Sequence, residues 1–95
     1  MTLGKVVGTV VSSTHTTGIA GATFLLIEKC NQAGVLKNSF LVALDMVGAG
    51  TDEMVIISEG STARETPLTV GKPLDALVVG IVDVIDENDI VTYRK

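Results

Sequence analysis

Apolar positions along this chain fall in short runs rich in Val, Ile and Leu, separated by glycines and polar turns. Leu3 to Val11 predicts a first strand, with Val7 and Val11 on one face and Val6 and Val10 on the other. Ser12 to Gly21 is a polar loop, and Ala22 to Lys29 predicts a second strand. Asn31 to Asn38, with Gly34 among turn-forming polar residues, predicts a hairpin connection. Ser39 to Met46 predicts a third strand, Gly48-Ala49-Gly50 a turn, and Met54 to Ser58 a fourth strand. In Glu59 to Pro67, Thr62 and Glu65 stand at capping-box spacing, which predicts one helical turn. Pro67 stops it, because the residue before a proline is pushed out of the α region.

Asp75 to Ile85 is the most apolar stretch and predicts one long strand. Ala76, Val78, Val82 and Val84 are expected on one face, with Leu77, Val79, Ile81 and Ile85 on the other. A strand with one wet face alternates apolar and polar residues. This one does not, so both faces are expected to be buried, one in the core and the other against a neighbouring subunit or the short helix. Gly80 in mid-strand marks a bulge or bend. Glu87-Asn88-Asp89 is a turn, and Ile90 to Tyr93 a short last strand. The expected architecture is all-β: a small, partly open five-stranded barrel of OB type, with one helical turn before the last long strand. Residues 1–95 form one domain in this reading.

Composition adds a question of burial. The chain of 95 residues is 46% hydrophobic, yet only Phe24, Phe40 and Tyr93 are aromatic. Its mean hydropathy is +0.49. A chain of this size buries roughly 60–65% of its unfolded surface. The excess apolar material predicts exposed patches or, preferably, subunits that cover them. The formal net charge of −4 supplies no basic face for phosphates. Cys30 is the single cysteine, so no intrachain disulfide forms, which suits a reducing compartment. The N-terminus has no signal-peptide pattern, and no apolar run approaches the roughly 20 residues of a membrane span. The expected location is the cytoplasm.

The candidate chemistry is thin. His15 is the only histidine and lies among hydroxyls with no orienting partner, so it is expected to be a solvated loop residue. One Cys and one His cannot build a closed zinc site, and Cys30 is expected to be a small buried hydrophobe. Asp45, Asp52 and Glu53 lack EF-hand spacing, and the acidic group Asp83, Asp86, Glu87 and Asp89 is expected to be a solvated face. Gly48-x-Gly50 lacks the third glycine and following helix of a dinucleotide fingerprint. No catalytic residue, cofactor or metal is assigned.

Taken in order, several segments resemble one family. They are Leu3-Gly4-Lys5-Val6-Val7-Gly8-Thr9-Val10-Val11, Leu25-Leu26-Ile27-Glu28, Val42-Ala43-Leu44-Asp45, Pro73-Leu74-Asp75-Ala76 and Val79-Gly80-Ile81-Val82-Asp83. The most specific are Val47-Gly48-Ala49-Gly50-Thr51-Asp52-Glu53 and Gly60-Ser61-Thr62-Ala63-Arg64. Together these resemble the small vertex proteins of bacterial microcompartment shells, the family of the pentameric carboxysome vertex protein and its ethanolamine- and propanediol-organelle relatives. Met54 departs from the family, which often has an aromatic residue there, and the 12–21 loop has no match.

The resemblance implies a non-enzymatic subunit with an OB-like barrel that assembles into a ring, usually a pentamer, with a hexamer as the other ring size. Its implied partners are copies of itself and hexameric shell proteins, with no nucleic acid and no membrane. Fivefold points let a sheet of hexagonal tiles close, so the implied function is geometric. Within it, Gly48, Ala49 and Gly50 are expected to permit close packing at the subunit contact or near the ring axis. Asp45, Glu53 and Arg64 are expected to orient that region, and Ser61 and Thr62 to cap the short helix. Val79 and Ile81 are expected to face a neighbour. The competing reading is a stand-alone OB-type module for single-stranded nucleic acid, which needs stacking aromatics and a basic groove.

Overall fold

The computed structural model describes residues 1–11, 23–60 and 76–95. Every element among them is a strand: β1 (Thr2–Val10), β2 (Phe24–Cys30), β3 (Leu36–Asp45), β4 (Met54–Glu59), β5 (Ala76–Ile81), β6 (Val84–Glu87) and β7 (Ile90–Arg94). The first five close into a barrel in the order β1-β2-β3-β5-β4, with β4 returning to β1. All neighbours are antiparallel except β3 and β5, which run parallel. The barrel is closed rather than partly open. Its thinnest seam is that parallel pair, joined only through Leu44 with Leu77 and Asp45 with Val78.

The barrel interior is filled by Val6, Leu25, Ile27, Ala43, Val55, Ile57, Ala76 and Val78. Branched side chains at alternate positions pack a narrow interior without large aromatics. Gly4 permits the tightest approach: a Cβ there would lie 2.3 Å from Ile27 Cγ2. A second cluster joins Leu44 and Leu77 with Phe24 and Met46. A third, beneath the hairpin, joins Cys30, Met54 and Val82 with Leu3, Ile56, Ile85 and Tyr93.

The expected 75–85 strand is broken. β5 ends at Ile81, and β6 begins at Val84 as part of a separate two-stranded sheet with β7. Two backbone bonds hold the break: Val82 N donates to Met54 O at 2.8 Å, and Lys95 N to Asp83 O at 2.9 Å. The face assignment also changes. Ile56 pairs with Gly80 and Ile57 with Val78, which leaves Val79 as an extra residue on β5. A bulge shifts side-chain parity by one. Ile81 therefore joins Val78 against the barrel core, whereas strict alternation had put them on opposite faces.

The third strand is longer than expected, beginning at Leu36 opposite Cys30. The connection shrinks to a turn fixed by Asn31, whose Oδ1 accepts from the N–H groups of Ala33 and Val35 at 2.9 and 3.0 Å. Gly34 takes φ +82° there. The 87–89 turn is a two-residue hairpin turn with Asn88 at φ 54° and Asp89 at φ 65°. Positive φ at both central positions matches the right-handed strand twist. The 12–21 loop with His15 lies outside the described residues, as does the expected helical turn beyond Gly60.

Candidate functional site

The connection between β3 and β4 is built around two carboxylates. Asp45 ends β3 and turns its Oδ1 onto three successive N–H groups: Val47 at 3.1 Å, Gly48 at 3.0 Å and Ala49 at 3.3 Å. Glu53 Oε1 accepts from the next, Gly50 N. The four consecutive amides from 47 to 50 are thus held by side chains from the two ends of the same loop. Such charge-assisted bonds onto backbone are the stronger class. Gly48 takes φ +75°, the left-handed conformation a side chain disfavours. Asp52 also takes positive φ, 71°. It closes a turn in which Glu53 N donates to Gly50 O at 3.2 Å.

The loop is sewn to β1. Val6 N donates to Glu53 O at 3.0 Å, and Asp52 N to Val6 O at 2.8 Å. Lys5 reaches Asp52 at 3.9 Å, an exposed pair worth little. Glu53 Oε2 meets Lys95 Nζ at 2.6 Å, with Asp83 at 4.0 Å from the same ammonium. The hydrogen bond from Lys95, then that from Gly50 N, holds the Glu53 carboxyl below the usual carboxylate range. The same bond from the other side raises the Lys95 ammonium. One carboxylate thereby fastens the loop to the last residue of the hairpin sheet's far end. Lys95 carries no sequence signal for this role, because the contact joins residues 42 apart.

The expected interface residues divide. Gly48 and Gly50 are exposed on the loop, and a Cβ at Gly48 would meet nothing within 4 Å. Ala49 turns inward and packs on the subunit's own barrel core, as does Ile81. Val79, pushed out by the bulge, is exposed. It lines a shallow apolar groove with Met1, Thr2, Leu3 and Ile56. Ser61, Thr62 and Arg64 lie outside the described residues. Cys30 is buried, and desolvation raises its thiol pKa. Among the described residues no three His, Cys, Asp or Glu side chains gather as a metal-ligand set. Nothing in the loop presents a nucleophile to a base: its carboxylates are spent on amides and an ammonium.

What the arrangement provides is a rigid, sharply folded loop at one end of a barrel. The family model described as "Ethanolamine utilisation protein EutN/carboxysome" matches residues 1–83. The carboxysome shell vertex protein CcmL of Gloeobacter violaceus is 41% identical over 95 residues, covering 100% of this chain and 95% of the relative. Its solved structure superposes with a TM-score of 0.94, covering 100% of this chain and 98% of that one. The microcompartment shell vertex protein EutN of Escherichia coli is 34% identical over the full length of both chains. The pentameric microcompartment shell protein GrpN of Rhodospirillum rubrum superposes with a TM-score of 0.84 at 40% identity, covering 92% of this chain and 99% of its own.

Proposed function

The chain belongs to the EutN/CcmL family, and we propose that it is a structural subunit, not an enzyme, that forms a pentamer at the vertices of a bacterial microcompartment shell. The observation that carries this is full-length agreement, in backbone and sequence, with a carboxysome shell vertex protein. The pentameric state of a relative, GrpN, supports five copies. Hexameric shell proteins are the partners that a fivefold cap requires, since hexagonal tiles alone make a flat sheet. The working location is the shell of such an organelle in the cytoplasm, with the 95 residues acting as one domain.

The physical chemistry agrees. A geometric part needs a rigid barrel and apolar surface for neighbours, and both are present. The exposed part of the 45–53 loop, with Gly48 and Gly50, is assigned to the subunit contact or the ring axis. The nucleic-acid alternative finds no stacking platform: of the three aromatics, only Phe40 is exposed.

Native mass spectrometry of the purified protein tests the proposal. A species of five subunit masses is expected. Co-production with a hexameric shell protein is expected to give closed polyhedra, against open sheets or tubes without this chain. A monomer at micromolar concentration overturns the reading.

A further inference from the structure

The β6–β7 hairpin hangs from β5 by the short link Val82–Asp83. Among the described residues its two strands ladder only with each other. Every residue of β6 and β7 is exposed or half-buried, whereas β4 is mostly buried. Val82 N on Met54 O, at 2.8 Å, anchors the link to the barrel. Lys95 N on Asp83 O, at 2.9 Å, closes the open end of the hairpin. Ile85 and Tyr93 lie over Cys30, Met54 and Val82. The Tyr93 ring also sits against Gly34 of the 31–35 turn, where a Cβ would be 3.3 Å from its Cδ1. A two-stranded sheet is marginal in water by itself. An element with few buried side chains opens at a lower free energy than the whole fold.

Polar side chains fasten the hairpin at two places. At the first, Thr92 Oγ1 donates to Gln32 O at 2.9 Å, and Gln32 Nε2 donates to Glu87 Oε1 at 3.0 Å. One residue of the 31–35 turn thus holds both hairpin strands. At the second, Lys95 Nζ donates to Glu53 Oε2 at 2.6 Å. The other oxygen of that carboxylate accepts from Gly50 N. Glu53 therefore has one oxygen on the hairpin and one on the 45–53 loop, and both bonds are of the charge-assisted class. Each fixes the same side-chain torsions, so losing either frees the carboxylate to leave the other.

We propose that the hairpin is a hinged flap pivoting at Val82–Asp83, and that Glu53 couples its closing to the order of the 45–53 loop. When the flap is closed, Lys95 holds Glu53 in the rotamer that receives the Gly50 amide. When it opens, the ammonium leaves, the carboxylate turns to water and the amide is released. A coupling free energy acts equally in both directions, so a loosened loop also loosens the flap. Whatever presses on or lifts the hairpin thereby sets the stiffness of the loop. The device is internal to one subunit, whatever assembly that subunit enters.

Native-state hydrogen exchange of the full chain, resolved by NMR at one fixed subunit concentration, tests this. In the wild type, the laddered amides of β6 and β7 are expected to exchange through an opening that urea promotes far less than it promotes exchange of β1 and β4. Thr92→Val keeps the side-chain shape and removes the bond to Gln32. It is expected to speed exchange of the hairpin and of Gly50 together by roughly three- to tenfold, the effect of one hydrogen bond. Lys95→Met is expected to do the same from the other fastening. Ile27→Val, which weakens the barrel core, should speed β1 and β4 and leave the hairpin's opening unchanged. Circular dichroism checks that each variant keeps its sheet. Hairpin amides that share the urea dependence of β1 and β4 would mean there is no flap, and the proposal fails. It fails equally if Thr92→Val and Lys95→Met free the hairpin while Gly50 exchanges at its wild-type rate. Neither result bears on the vertex reading, which native mass spectrometry judges separately.

Discussion

Gly4→Ala is the sharpest probe of how this barrel closes. Gly4 is buried on β1, between Lys29 of β2 and Val55 of β4. A methyl group there would lie 2.3 Å from Ile27 Cγ2, 3.0 Å from Ile57 Cδ1 and 3.2 Å from the Glu28 carbonyl oxygen. The two isoleucines are themselves wholly buried and have nowhere to retreat, and the carbonyl is bonded backbone. Overpacking of this kind costs about 1–3 kcal/mol. The loss of glycine's freedom in the unfolded chain returns about 0.4–1 kcal/mol. A net destabilisation of about 1–2 kcal/mol follows, or a fall in Tm of roughly 5–15 °C for a chain of this size. Urea and thermal unfolding followed by circular dichroism, at one fixed subunit concentration because assembly shifts stability, measure it. Ile27→Ala alone should cost about 2–5 kcal/mol by leaving a cavity. Combined with Gly4→Ala it should cost less than the sum by about 1 kcal/mol, since the new methyl enters the space Ile27 vacates. A neutral Gly4→Ala, or strict additivity in the double variant, refutes the close-approach account.

Asp45→Ala should destabilise by about 1–2 kcal/mol and speed hydrogen exchange at the amides of Val47, Gly48 and Ala49, with Asp45→Asn intermediate because it keeps one acceptor. Glu53, held below the ordinary carboxylate range by Lys95, stabilises the fold above that range, and the contribution fades as pH falls through its lowered folded value; Lys95→Ala should move the Glu53 NMR titration upward. Lys95, raised, contributes below its ordinary value and loses that contribution as pH rises through the folded one. Gly48→Val and Gly50→Val should impair assembly, read by light scattering, more than they lower Tm; unaltered rings would remove the loop from the contact. Cys30 should resist a thiol reagent in the native protein and react fully in denaturant.

The barrel strands were legible because β-branched runs end at glycines and polar pairs, and among the described residues such ends became turns at 31–35, 46–53 and 88–89. The 88–89 turn was visible for the same reason: Asn and Asp tolerate positive φ. What stayed hidden was decided by distant backbone. Nothing local in Leu77 to Ile85 announces a break after Ile81, because the break depends on Val82 N finding the Met54 carbonyl across the molecule. The bulge at Val79 then reverses which side chains face inward, and no alternation rule anticipates it without an alignment of strand partners. The same holds for the loop. Asp45 and Glu53 stood out as charges beside glycines, yet their acceptor roles depend on amides folded back onto them.

The harder ambiguity lies in the apolar residues. Ala49 and Ile81, expected at the subunit contact or ring axis, are partly buried and pack against their own barrel core. A small barrel's interior and a ring contact demand the same side chains, so hydropathy alone cannot assign a residue to either. Closure decides: once the five strands form a ring, whatever points inward is consumed, and only the remainder is available for assembly. Among the described residues that remainder includes Val79 beside Met1, Phe40 and Val42 on β3, and Val84, Ile90 and Val91 on the hairpin. The excess hydropathy is therefore spread over several exposed strand faces, Val79 and Val84 of the long apolar stretch among them. Making Val84, Ile90 and Val91 polar is expected to weaken assembly, read by native mass spectrometry, while the barrel still unfolds at its normal temperature; rings as stable as the wild type's would show that these side chains are not used in it.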